Sequence, residues 1–123
     1  MAGYLTTAAA NAVLAGTPMP TTFYAAGRLA DPGVDGSANH AAETRRITVA
    51  MAAPSAGAAA NSNSGTVANA AASEDWSHVV LYDASSGGTA WWVVPFAVPV
   101  SITAGRTIRF APGALVLGLT LWS

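Results

Sequence analysis

The stretch LYDASSGGTAWWVVPF, residues 81–96, determines the fold that the sequence predicts. Two runs of β-prone residues flank the turn SSGG (85–88), a pattern typical of a β-hairpin. Asp83 and the serines can bond to turn backbone, and glycine tolerates the positive φ of tight turns. As a catalytic or phosphate-binding site the same stretch is incomplete, because it lacks a base, a second facing acid and a lysine after the glycines. We therefore interpret it as a structural hairpin.

Two adjacent tryptophans, Trp91 and Trp92, open the second strand of this hairpin. On a regular strand they face opposite sides of the sheet. Because Trp92 is in phase with Val94 and Phe96, we expect it to point into the core and Trp91 to meet solvent or a partner. Aromatic side chains are enriched in protein–protein interfaces. The interface candidates of the chain are Trp91, Trp122, Tyr82 and Arg109.

Strand-like alternation recurs on both sides of the hairpin. About seven short strands separated by turn residues are typical of an antiparallel β-sandwich, and we expect a mainly β, jelly-roll-like sandwich. Residues 5–15 predict a short helix, with threonine at its start and Gly16 at its end. We expect a single domain over residues 1–123, with a helical arm at 1–20 and the sandwich at 21–123. The flanking strands are predicted within 21–29, 44–52, 66–73, 77–83, 101–110 and 114–122.

The chain carries few charges and no cysteine. Charged residues are 9% of the total, against roughly 25% in ordinary soluble domains, so we expect a subunit that hides surface in an assembly. The net charge of −1 gives no basic footprint for nucleic acid. No apolar run is long enough to span a membrane. The start lacks the basic region of a signal peptide, so we expect folding in a cytoplasm.

The candidate acid, base and metal-binding side chains of the sequence are six carboxylates and two histidines. Adjacent acids such as Glu74 and Asp75 point to opposite faces of a strand, whereas a glycosidase needs two facing carboxylates about 5–10 Å apart. The serine-hydrolase elbow and the glycine-rich phosphate loops are absent, and two histidines alone cannot complete a structural zinc site. We therefore predict no enzyme, no cofactor and no catalytic or metal-binding residue. The carboxylates are expected at solvated loop ends: Asp31, Asp35, Glu43, Glu74, Asp75 and Asp83.

A carbohydrate-binding module is the alternative function that the aromatics leave open. Trp91 or Trp92 could stack on a host-surface sugar, with Asp83, Asn69 and His78 as polar partners. A hydrolase ranks last, since it requires two facing carboxylates or a Ser–His pair in one cleft.

The second half of the chain resembles small virion structural proteins of tailed bacteriophages, often labelled tail fibre proteins. The resemblance follows the order of four motifs: a strand with Trp76, the turn LYDASSGG (81–88), the proline-containing strand TAWWVVPF (89–96) and the closing run AGRTIRFAPGALVLGL (104–119). The sequence departs from the family pattern at Arg106, where the family has an acid, and in its less aliphatic first strand.

The resemblance implies a non-enzymatic β-sandwich subunit of a phage particle. Its location would be on the capsid as decoration, or on the tail as a fibre or minor tail protein. The implied partners are other virion proteins and further copies of the chain, with neither nucleic acid nor a membrane, and with a host-surface glycan as an additional candidate. The implied location is the virion, assembled in the host cytoplasm.

Overall fold

The computed structural model describes residues 4–53, 58–113 and 115–118, and these residues are mainly β with one short helix. The helix α1 is Thr7–Leu14. The strands are β1 (Tyr4–Leu5), β2 (Thr22–Arg28), β3 (Ile47–Ala50), β4 (Ala58–Ala60), β5 (Gly65–Val67), β6 (Glu74–Tyr82), β7 (Ala90–Ile102), β8 (Ile108–Phe110) and β9 (Val116–Gly118).

Five of these strands form one antiparallel sheet in the order β1-β7-β6-β2-β3. Two further antiparallel ladders, β4-β9 and β5-β8, complete the described strands. The predicted hairpin is confirmed: β6 and β7 are its arms, and they are the longest strands, with 9 and 13 residues. The hairpin therefore supplies the centre of the main sheet, with β2 beside β6 and the short β1 beside β7.

The core lies between the main sheet and the two ladders. Phe23 of β2 and Leu81 of β6 share one buried cluster with Phe110 of β8 and Leu117 of β9. The rings of Trp76 and Phe110 join the layers, with centroids 6.5 Å apart. Two layers of antiparallel strands thus enclose one apolar core. The predicted fold class, a mainly β antiparallel sandwich with a short N-terminal helix, is confirmed.

The two adjacent tryptophans do not alternate as a regular strand requires. Trp92 pairs with Leu81 and Ala90 pairs with Tyr82, so Trp91 is an extra residue in a β-bulge. A bulge sets two residues against one on the partner strand and redirects a side chain. Trp91 and Trp92 are 3% and 1% exposed and belong to the same core cluster. The inward position of Trp92 is confirmed, and the outward position expected for Trp91 is wrong.

The ends of the chain follow the sequence pattern as far as they are described. Thr6 caps α1, because its hydroxyl accepts a hydrogen bond from the backbone N–H of Ala9 at 3.2 Å. Gly16 follows the helix with a φ of +89°, which favours glycine. In the last predicted strand, Leu115 and Leu117 are buried as expected. Residues 119–123, including the interface candidate Trp122, lie outside the described residues.

One glycine of β2 allows the core to close. Gly27 lies in the strand interior, where a Cβ would come within 2.2 Å of Cε2 of Trp76. Trp76 is fully buried, so its ring has no space into which to retreat. Glycine inside a strand often marks such a close approach. The packing of Trp76 over β2 therefore requires the absence of a side chain at Gly27.

We expect Gly27→Ala to lower the free energy of unfolding by about 1–3 kcal/mol through overpacking. Urea denaturation of the single variants and of the double variant with Trp76→Leu measures the coupling between the two positions. In the Trp76→Leu background the added methyl has space, and its cost should fall markedly. An equal loss in both backgrounds would contradict the contact.

Candidate functional site

The face of the main sheet opposite to the core carries a polar cavity. Since side chains alternate along a strand, Phe23 and Ala25 of β2 point into the core, and Arg28 belongs to the other face. Tyr82 of β6 faces the same side, next to Arg46, which lies just before β3. The loop between β2 and β3 folds over this face. These elements assemble a cavity from segments that are far apart in the sequence.

Arg28 is a buried cation in the wall of this cavity. The residue is 3% exposed. Its Nε and Nη2 donate to the carbonyl of Gly36 at 3.2 and 3.0 Å, and Nη1 donates to the carbonyl of Gly27 at 3.0 Å. Nη2 also donates to the hydroxyl of Tyr82 at 2.8 Å. Burial lowers the pKa of the Arg28 guanidinium, and the nearby charge of Arg46 lowers that pKa further, against the opposing effect of Tyr82.

Arg46 connects the cavity to the hairpin turn. Its Cζ lies 3.6 Å from the centroid of the Tyr82 ring, a distance typical of a cation–π contact. Its Nη1 donates to the carbonyls of Ala84 and Gly87 at 2.8 and 2.7 Å. The guanidinium is thus held from two sides, by an aromatic face and by the backbone of the turn.

Glu43 is a buried carboxylate at the edge of the cavity that pairs with the half-exposed Arg45. Its carboxylate accepts from Nη2 and Nε of Arg45 at 2.5 and 3.0 Å, and from the backbone N–H of Ala71 at 3.2 Å. The Glu43 side chain is 2% exposed. The hydrogen bonds from Arg45, above all, lower the pKa of Glu43 to about 2. Glu43 therefore stays ionised in the folded protein and is neutralised locally by Arg45.

The expectation that all carboxylates are solvated at loop ends is wrong for Glu43 and Glu74. Glu74 accepts hydrogen bonds from the backbone N–H of Ala42 at 2.9 Å and from Nε1 of Trp76 at 3.0 Å. Most of these partners come from distant segments, as with Ala71 for Glu43 and Ala42 for Glu74. The sequence alone offers no periodicity that would pair positions so far apart.

The cavity has a volume of about 240 Å³. Its lining is polar and carries more cations than carboxylates, because Arg28 and Arg46 face a single acid that is already paired. No group of three or more His, Cys, Asp or Glu side chains suited to a metal ion occurs in the described part of the chain. The polar lining side chains are those of Arg28, His40, Glu43, Thr44, Arg46 and Tyr82.

The hairpin turn beside the cavity is held by Asp83, as the sequence predicts. Its Oδ1 accepts from the backbone N–H of Thr89 at 2.8 Å, and its Oδ2 accepts from Nε1 of Trp91 at 3.3 Å. Gly87 and Gly88 adopt φ values of +64° and +73°, a region that glycine enters without steric cost. Asp83, the one acid of residues 81–96, therefore stabilises the hairpin turn.

Of the interface candidates within the described residues, Tyr82 and Trp91 lie on neighbouring strands of the hairpin, and Arg109 lies on β8. Tyr82 is half-buried and its hydroxyl accepts from Arg28. Arg109 is exposed on β8 and donates from Nη2 to the hydroxyl of Ser64 at 3.0 Å. Trp91 is buried. An interface role for any of these residues stays a prediction, with almost no surface left for it at Trp91.

The burial of Trp91 and Trp92 argues against the sugar-stacking hypothesis. A stacking platform needs an exposed ring face, and Trp91 and Trp92 are 3% and 1% exposed. Both rings are used by the core of this chain. Neither tryptophan can therefore serve as a sugar platform in this conformation.

The comparison with protein families covers nearly the whole chain, including the hairpin. The chain is a phage fibre-type protein, a structural component of a virus particle. The family model of the podophage GP4 fiber I protein gp80 matches residues 1–118, and the chain belongs to this family. No curated protein matches the chain significantly. The resemblance to tail fibre proteins is thereby confirmed. Within the described residues, no helix has the length and apolar character needed to cross a membrane.

The Glu43–Arg45 pair predicts a stability change in acid. The pKa of Glu43 falls from 4.5 to about 2 on folding, so its stabilisation is present above pH 4.5 and is lost as pH falls from there toward 2. At neutral pH we expect Glu43→Gln to lose about 2 kcal/mol of unfolding free energy, less than the full pKa change would give, because the Arg45 side chain is 51% exposed and water screens the pair. Urea denaturation between pH 7 and 2.5 measures this loss. The difference between wild type and variant should shrink with falling pH. Asp75→Asn removes an exposed carboxylate and is the matched control.

The Asp83 contacts predict a graded effect on the hairpin. Asp83→Ala removes the acceptor of two hydrogen bonds, and we expect a loss of about 1–2 kcal/mol in unfolding free energy. Asp83→Asn keeps one oxygen acceptor and should lose less. Thermal or urea unfolding followed by tryptophan fluorescence measures both variants. Equal effects of the two substitutions would show that the side-chain oxygens do not hold the turn.

Proposed function

We propose that this chain is a non-enzymatic structural subunit of a tailed-phage fibre that acts through contacts with copies of itself and with other virion proteins. The observation that carries the proposal is the family match over residues 1–118 of the 123-residue chain. A fibre location accounts for the family description better than capsid decoration or a minor tail position. Assembly in the host cytoplasm, followed by residence in the virion, belongs to the same proposal.

The surface of the described residues supports association. Charged residues are scarce, at 9% of the chain, and several apolar side chains protrude. Leu14 at the end of α1, Val34 in the loop after β2 and Val98 in β7 are 86%, 67% and 76% exposed. Single exposed apolar residues are common on soluble proteins, so these three supply candidate contact points, while the low charge and the family match support association.

Val98 is the protruding residue with the clearest structural setting. His78 pairs with Pro95 and Trp76 pairs with Val100, so the strand β7 carries four residues opposite the single Ser77 of β6. This irregularity includes Val98 and lifts it out of the sheet. We place a contact between subunits at this bulge, within the same β7–β8 region as the predicted interface residue Arg109.

We expect the purified chain to sediment at a multiple of its 12.3 kDa mass at micromolar concentration. Val98→Asp places a charge in the proposed contact and should weaken association at least about tenfold, which corresponds to about 1.4 kcal/mol. Ser86→Asp adds the same charge at an exposed position of the hairpin turn and is the matched control. Sedimentation velocity of the three proteins measures the difference.

A second measurement tests the location in the particle. Gold-labelled antibodies against the chain should decorate the fibres of purified virions by electron microscopy. Labelling of the capsid would contradict the fibre location. A protein that stays monomeric and is absent from purified virions would contradict the structural role as a whole.

A further inference from the structure

We propose that the polar cavity beside Tyr82 is a binding site for a small oxyanion, a carboxylate or a phosphate such as an acidic saccharide carries, held between Arg28 and Arg46. The site is distinct from the apolar surface that supports assembly. It does not depend on the fibre role, and it does not use the buried tryptophans.

The buried charge of Arg28 has no counter-charge bonded to it among the described residues. All its hydrogen-bond acceptors are neutral, namely the carbonyls of Gly27 and Gly36 and the hydroxyl of Tyr82. Among the described residues, the only ion pair is that of Glu43 with Arg45. A buried cation costs free energy unless an opposite charge is close. An anion in the cavity would supply the missing counter-charge.

Arg46 has hydrogen-bonding capacity to spare and is already held in place. Its Nη1 is engaged with the hairpin turn, while its Nε and Nη2 make no hydrogen bond to any described residue. The planar guanidinium presents N–H groups in a fork that matches carboxylate and phosphate oxygens. Because the Tyr82 ring and the turn backbone already hold the side chain, little conformational entropy is lost on binding.

The nearby acids do not neutralise these two arginines. Glu43 is committed to Arg45 and to the backbone of Ala71. Glu74 is committed to the backbone of residues 42 and 43 and to the indole of Trp76. The remaining polar side chains in the wall, His40 and Thr44, offer further hydrogen bonds to a ligand. The cavity therefore combines net positive charge with uncharged donors and acceptors.

The size of the cavity limits the ligand. About 240 Å³ is below the roughly 300–1,000 Å³ of sites that enclose drug-sized molecules. It accommodates an anionic group with the adjoining part of one sugar ring. The class of ligand is thus a small acid or one acidic residue of a saccharide.

Titration of the ¹⁵N-labelled protein with galacturonate tests the site directly. We expect saturable shifts of the Nε–H signals of Arg28 and Arg46, with a Kd of about 1 mM, the affinity that two charge-assisted hydrogen bonds supply. Galactose is the neutral control, and sodium chloride at equal ionic strength controls for screening. Inorganic phosphate and acetate test whether the anionic group alone is recognised.

Substitutions locate the binding. Arg46→Gln should raise the Kd at least about tenfold, and Arg46→Lys, which keeps the charge without the fork, should raise it less. Arg106→Gln removes the same charge from an exposed position outside the cavity lining and should leave the Kd unchanged. Unfolding curves show whether the Arg46 variants remain folded. The Arg28 signal is followed in the wild-type protein, so it reports binding without any substitution.

Each outcome of these titrations either supports or overturns the oxyanion site. Equal Kd values for acetate and galacturonate would support the oxyanion site and assign recognition to the charged group, whereas tighter galacturonate binding would support recognition of the sugar as well. Small non-saturable shifts of all arginines, equal to those in sodium chloride, would overturn the proposal. Unchanged galacturonate binding in both Arg46 variants would overturn it too.

Discussion

The pairing of β6 with β7 is the interaction on which the rest of the molecule depends. Together these strands form the centre of the main sheet, and β2 and β1 attach to their outer edges. The bulge at Trp91 shifts the register by one residue and brings Trp91 and Trp92 into the same core. Two large aromatic side chains bury 150–250 Å² each, which is a substantial share of the core in a chain rich in alanine. Without the bulge, one of these rings would lie on the polar face.

The two faces of the main sheet meet different physical requirements. One face packs against the ladders and closes over Trp76, where Gly27 leaves the necessary space. The other face buries Arg28, a cation whose desolvation cost is met only by neutral acceptors. Tyr82 links the central strand β6 to the cavity, because its hydroxyl accepts a hydrogen bond from Arg28 and its ring contacts Arg46. The strand that supplies core residues therefore also supplies part of the wall of the positively charged cavity.

The sequence predicts those parts of this architecture that depend on local patterns. Alternation and turn residues indicate the hairpin, the capped helix and the buried Leu115 and Leu117, because each of these is decided within a few positions. Strict alternation fails at Trp91, since a bulge inserts one residue without a signal in the pattern of apolar side chains. The cavity is equally invisible, because Arg28, Arg46 and Tyr82 come from segments that meet only in the folded sheet.

The contacts of Arg46 couple the hairpin turn to whatever occupies the cavity. One of its nitrogens donates to the carbonyls of Ala84 and Gly87, and the residue also lines the positively charged cavity. A ligand bound to this guanidinium would meet it in the orientation that its contacts with the turn carbonyls and the Tyr82 ring already set. Any species that binds the native state alone stabilises it in proportion to the logarithm of its concentration over Kd. Occupancy of the cavity would thus stabilise the folded state that includes the contacts of Arg46 with the hairpin turn.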